Sequence, residues 1–132
     1  MAVHELNATV RRRNGVAVVD LAGDIDRAAD APLRRAYDEA AAGGAGTLLL
    51  NFGGVGYINS TGIAVIVGLL ARARKERRAV AAYGLSDHYR QIFTITRLSD
   101  FVSLFPDEEA AVGGQPSPGS PTTAPGGRGG DR

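Results

Sequence analysis

The sequence predicts an α/β domain: a mixed β-sheet of about four to five strands, opened by an N-terminal antiparallel hairpin and covered by about four helices. Three observations carry this. Asn14-Gly15 separates two short β-rich runs, which is the strongest local hairpin signal. Thr47-Leu48-Leu49-Leu50-Asn51 is a continuous apolar run bounded by turn residues, as a strand covered on both faces would be. After the hairpin, strand-like and helix-like segments alternate, which implies parallel strands with helical crossovers.

Leu6 to Val10 and Val16 to Leu21 are the two hairpin strands. Past Gly23-Asp24-Ile25-Asp26, the segment from Ala28 to Ala42 places Leu33, Ala36, Tyr37 and Ala40 at helical intervals, and Gly43-Gly44 stops it. The central strand at Thr47 to Asn51 leads through a glycine-rich stretch to a second helix, Ser60 to Arg74. In that helix Ile63, Ile66, Val67 and Leu70 share one face, and Arg72, Arg74 and Lys75 complement the carboxyl end of the dipole. A strand at Ala79 to Tyr83, a helix from about Asp87 to Thr96, a short strand at Phe101 to Leu104 and a helical turn near Asp107 to Val112 complete the domain.

A chain of 132 residues has room for one domain with a real core. That domain is expected over residues 1–112. Residues 113–132 hold seven glycines and four prolines with almost no large apolar side chain, so a disordered tail, acting as a tether, is expected there. Fifteen Lys and Arg nearly balance fourteen Asp and Glu, a poor match to a nucleic-acid binder. The absence of cysteine removes disulfides, thiolate zinc sites and thiol nucleophiles from consideration. No signal-peptide pattern opens the sequence, and the most apolar stretch, Ile63 to Ala73, is too short to span a bilayer, so a cytoplasmic protein without membrane contact is expected.

The informative segment is Val55-Gly56-Tyr57-Ile58-Asn59-Ser60-Thr61-Gly62-Ile63. It joins the central strand to the apolar helix, placing Ser60 at a helix amino terminus beside unsatisfied N–H groups. A phosphate on Ser60 would add about −1.5 to −2 charge and three acceptor oxygens at a place that favours anions. Gly62, lacking a side chain, would allow close approach of a partner or phosphate to the backbone. From spacing alone, a capping role for Ser60 or Asn59 stands beside that reading.

The run Tyr57-Ile58-Asn59-Ser60-Thr61-Gly62-Ile63 resembles the Asp-Ser-Ser/Thr-Gly-Leu signature of bacterial anti-sigma factor antagonists, whose fold is the STAS domain. Leu21-Ala22-Gly23-Asp24-Ile25-Asp26 resembles the family's Gly-Glu-Leu-Asp segment. Tyr83-Gly84-Leu85-Ser86, Gln91-Ile92-Phe93 and Thr96-Arg97-Leu98 resemble the segment leading from the last full strand through a helix, so the likeness spans about residues 3–112. The resemblance implies the STAS fold and a binding protein rather than an enzyme. Its implied partner is an anti-sigma factor that is also a serine kinase, with a protein serine phosphatase reversing the modification. It further implies phosphorylation of Ser60, and partner binding through Asp24, Asp26, Asn59, Ser60, Thr61 and Gly62. The unphosphorylated protein would hold the anti-sigma factor and release a sigma factor in transcriptional or stress control. Asn59 departs from the family's Asp, and this leaves a second reading: a STAS scaffold or adaptor that is not phosphorylated, in a stress-signalling or transport assembly. Asp26, just before a helix, also reads as a cap.

Other signals carry less. Asn59-Ser60-Thr61 and Asn7-Ala8-Thr9 match the glycosylation acceptor pattern, which needs a secretory route. Arg11-Arg12-Arg13 and the group Arg72, Arg74, Lys75, Arg77 and Arg78 read as solvated faces. His4 and His88 lack ligand spacing, and Gly53-Gly54-Val55-Gly56 has no phosphate-loop lysine, so no metal, cofactor or catalytic group is expected and a nucleotide-binding enzyme ranks last. Tyr37, Tyr57, Tyr83 and Tyr89 are assigned to core or rim packing.

Overall fold

The structure, a computed structural model, describes residues 5–114. Strands β1 (Asn7–Arg13) and β2 (Val16–Ile25) pair antiparallel, with Arg13 opposite Val16. Asn14 and Gly15 both have positive φ, 51° and 79°, the two left-handed residues that a tight hairpin turn matched to strand twist requires. Strand β2 then pairs in parallel with β3 (Thr47–Ile58), β3 with β4 (Ala79–Tyr83), and β4 with β5 (Ser103–Phe105), so the sheet order follows chain order.

Each parallel connection steps to the next strand in the same direction. Right-handed crossovers therefore place all three intervening helices on one face of the sheet. These are α1 (Asp30–Ala42), entered through a 3-10 turn at Arg27–Ala29, α2 (Ser60–Lys75) and α3 (Asp87–Ile95), which is followed by a 3-10 turn at Leu98–Asp100. The packing agrees. Leu33, Ala36 and Tyr37 of α1, Ile66 and Leu70 of α2, and Phe93 of α3 share one apolar cluster with Ala17, Val19, Leu21, Leu48, Leu50, Phe52, Val80 and Ala82. The alternate strand residues Val16, Val18, Leu49 and Ala81 face the other way, where Ala111 and Val112 of the short helix α4 (Glu108–Gly114) pack on them beside Tyr83 and Phe105.

So small an apolar contact needs help, and polar groups supply it. Glu108 of α4 accepts hydrogen bonds from Arg11 (2.6 and 3.0 Å), Arg13 (2.7 Å) and the Tyr83 hydroxyl (2.5 Å). Arg13 also reaches Glu109, and Arg11 bridges to Asp20, which accepts from Asn51. The Arg11 guanidinium, with Tyr83 and Arg13, holds the Glu108 carboxyl far below the ordinary glutamate range. Burial, then the bond to Glu108, pushes the Tyr83 phenol up. Arg11 stays exposed, as a solvated face implies, but it and the half-buried Arg13 also tie β1 to α4, a role beyond that expectation. The expectation is corrected for Arg72 and Arg78: Arg72 stacks 4.0 Å over the Tyr37 ring, and Arg78 Nε donates to the Ala45 carbonyl (3.0 Å).

Two further expectations change. The central strand does not end at Asn51 but runs through Gly53, Gly54 and Gly56 to Ile58, because β2 continues beside it as a pairing partner, with irregularities after Asp20 and Gly23. Glycine is accommodated there by close backbone approach: a side chain on Gly54 would meet the Leu21 carbonyl. Val67 is 44% exposed, and the buried stripe of α2 is Gly62, Ile66, Leu70 and Ala73. The first two residues of the glycine-rich tail close α4; the expected disorder of its remainder, 115–132, lies outside the described residues, as does His4. Among the described residues no helix is long and apolar enough to cross a membrane.

Candidate partner-binding site at the start of α2

The last registered pair of the parallel strands β2 and β3 is Ile25 with Ile58, so both strands leave the sheet at the same edge. That edge brings Asp26 and Asn59 together as the two residues that open the following turns, at the carboxyl ends of parallel strands where α/β proteins commonly build their sites. Asn59 ties the two together by donating its backbone N–H to the Ile25 carbonyl (3.2 Å).

Asn59, not Ser60, is the cap of α2. Its backbone is extended (φ −94°, ψ −178°), its Oδ1 accepts from the Gly62 N–H (2.8 Å), and its carbonyl accepts from Ile63 N–H (2.9 Å). Ser60 is therefore the first helical residue, and with Thr61 it is exposed. Among the described residues no hydrogen bond engages the Ser60 hydroxyl, so the group is not consumed by folding. The first turn of α2 carries no acidic residue, whereas its last turn carries Arg72, Arg74 and Lys75, so nothing on the helix itself neutralises the positive end of the dipole at Ser60.

Asp26 caps the neighbouring 3-10 turn, its Oδ1 accepting from Ala28 N–H at 2.9 Å, and remains half-exposed. The capping reading of Asp26 thus holds. Asp24 is half-buried on β2, in register with Tyr57 of β3. Gly62 differs from the expectation. Its missing side chain is not an opening for a partner: Gly62 is buried, and a Cβ there would overlap the Ile25 carbonyl, so glycine lets α2 pack onto the end of β2.

For two neighbours the sequence reading went no further than core or rim packing. Tyr57 is 54% exposed beside Asp24, and strand alternation carries the signal, since Ile58 points into the core and its predecessor must point out. Tyr89, on α3, accepts a hydrogen bond from the Ile58 N–H at 2.9 Å, immediately before the cap; nothing local in the sequence announces a contact across 31 positions. Among the described residues no group of three or more His, Cys, Asp or Glu is placed to hold a metal ion. What the edge offers is an exposed hydroxyl at a helix start, with the half-exposed Asp26 opening the neighbouring turn and Asp24 and the exposed Tyr57 ring paired one step back along the strands.

Known proteins resemble this chain in sequence and in fold. The chain is 29% identical over 107 residues to an anti-sigma-B factor antagonist of Bacillus subtilis, covering 81% of this chain and 97% of that one. It superposes on an anti-sigma factor antagonist from Mycobacterium paratuberculosis with a TM-score of 0.70 at 21% identity, covering 83% and 92% of the two chains. It superposes also on the Bacillus cell fate determinant SpoIIAA in its phosphorylated form, with a TM-score of 0.61 at 20% identity over 82% and 99%. At those identities the two structures show a common fold. The family model described as "Mlab, STAS domain" matches residues 8–105, the whole span from β1 to β5. The chain belongs to the STAS domain family.

Proposed function

We propose that this protein is an anti-sigma factor antagonist: it binds an anti-sigma factor of the serine kinase type, so freeing a sigma factor, and phosphorylation of Ser60 ends the binding. The carrying observation is the Ser60 hydroxyl, exposed on the first turn of α2 and left unengaged because Asn59 does the capping. A phosphoryl group there adds about two negative charges to the edge that also carries Asp26 and Asp24, so a partner surface that fits the unmodified rim meets repulsion and a desolvation cost. The Bacillus subtilis relative is named an anti-sigma-B factor antagonist, which supports the reading. The protein acts in the cytoplasm by contact rather than catalysis, and a protein serine phosphatase resets it. Asp24, Asp26, Asn59 and Thr61 form the contact rim; Gly62 serves it from beneath.

Incubation with a purified serine kinase anti-sigma factor and ATP, followed by mass spectrometry, tests the switch: phosphate is expected on Ser60 and absent from Ser60→Ala. Ser60→Asp is expected to weaken binding of that anti-sigma factor at least tenfold. Asn59 favours a second reading, a STAS adaptor that binds without being phosphorylated, because the carboxylate that precedes the serine in the resembled signature is an amide here. Unchanged affinity in Ser60→Asp, with no phosphate on the wild type, selects that adaptor.

A further inference from the structure

Strand β4 ends at Tyr83, opposite Asn51, while β3 runs on to Ile58. Over that overhang, among the described residues, no strand lies on the β4 side of β3. Successive amides of an extended strand point to opposite sides. The Asn59 N–H goes to Ile25 of β2, so the Ile58 N–H faces away from β2, toward the empty side. Its acceptor is the Tyr89 hydroxyl, 2.9 Å away. Tyr89 is itself held in the first turn of α3, where its N–H donates to the Ser86 hydroxyl (3.2 Å), and the His88 ring meets it edge-on at 4.9 Å. One phenolic oxygen thus stands in for the missing strand at the residue before the Asn59 cap.

We propose that Tyr89 is a positioning residue for Ser60, bracing the last amide of β3 from α3 and so fixing the start of α2 in the geometry that a kinase partner reads. The proposal rests on the reading of Ser60 as the regulated hydroxyl. The brace is local. Half-buried Tyr89 also packs against the main core, and Tyr89→Phe keeps that packing while deleting only the acceptor. Without it the overhang is anchored from one side only, by β2, and the Asn59 and Ser60 backbone samples more than one arrangement.

Amide hydrogen exchange on the full chain, wild type against Tyr89→Phe, is the first test. Exchange at Ile58 and Gly62 is expected to accelerate about tenfold or more, with Ala40 of α1 unchanged. Equal rates at Ile58 and Gly62, or acceleration of every amide together, would overturn the brace. The second test uses a serine kinase anti-sigma factor that phosphorylates the wild-type chain: KM for Tyr89→Phe is expected to rise three- to tenfold at unchanged kcat, and an unchanged KM overturns the positioning role. If no such kinase modifies wild-type Ser60, the function proposed above fails, while the exchange experiment still decides whether Tyr89 orders the turn.

Discussion

Gly62 of α2 lies directly against the carbonyl of Ile25 at the end of β2, with no room for a single methyl group between them. This contact sets how closely the helix that carries Ser60 sits on the sheet. Gly62→Ala gains helix propensity of about 1 kcal/mol but must push α2 away from Ile25, an overpacking cost of up to about 3 kcal/mol or slightly more. The net expectation is a loss of about 2 kcal/mol in urea unfolding. A variant as stable as wild type would show that the helix start shifts freely.

The cap and the switch are separate residues, so their substitutions should separate too. Asn59→Ala removes the acceptor of the Gly62 N–H and is expected to cost about 1 kcal/mol. Ser60→Ala, which breaks no hydrogen bond, is expected to stay within about 0.5 kcal/mol of wild type. Equal losses in thermal unfolding would mean that the Ser60 hydroxyl has a structural role.

Thr47 opens β3 almost fully buried, and among the described residues its Oγ1 finds no hydrogen-bond partner. Replacing the hydroxyl with a methyl group of similar size removes an unmet polar group from the core. Thr47→Val should therefore raise stability by about 1 kcal/mol. A destabilised Thr47→Val would point to a hidden acceptor.

The clamp on α4 predicts acid sensitivity with a definite sign. The folded protein keeps Glu108, and to a lesser extent Asp20, ionised to lower pH than the unfolded chain does. As pH falls below the ordinary carboxylate range the unfolded chain takes up those protons first, and stability drops; above that range the contribution is complete. Glu108→Gln should lower stability at pH 7 and flatten the decline between about pH 5 and pH 2. Parallel pH curves for the two proteins would remove Glu108 as the cause.

Helices α1 and α2 end in the same way with different residues. Gly44 has φ 80° just past the end of α1, where Ala45 N–H returns to the Ala40 carbonyl. Arg77 has φ 62° just past α2, where Arg78 N–H returns to the Ala73 carbonyl. The left-handed conformation costs an L-residue about 1 kcal/mol, partly offset by the extra unfolded-state freedom of glycine. Arg77→Gly is expected to stabilise by about 0.5 kcal/mol in chemical denaturation, and a loss would show that the Arg77 side chain matters more than its backbone.

Features written in neighbouring residues were legible in the sequence. Asn14-Gly15 specified the hairpin, Gly43-Gly44 the end of α1, and the apolar run from Thr47 the middle of the sheet. Ser60 was legible as the start of α2, because a turn, a polar residue and a helical apolar period coincide there. Features that depend on distant partners were not. The three glycines of β3 read as a loop until β2 lies beside them. Glu108 meets Arg11 across 97 positions, and a terminal helical turn gives no hint that it is clamped. Gly62 and Tyr89 belong to the same class, since the reason for each residue lies on another strand or helix.

The two faces of the sheet answer to different demands. The rim around Ser60 sits at the carboxyl ends of β2 and β3, whereas the charged clamp and α4 hold the face of the sheet opposite α1, α2 and α3, sharing no residue with that rim. Substitutions in the two regions should combine almost independently. A lineage could therefore drift toward hotter or more acidic surroundings by rewriting Arg11, Arg13 and Glu108 while its choice of binding companion stays as it was.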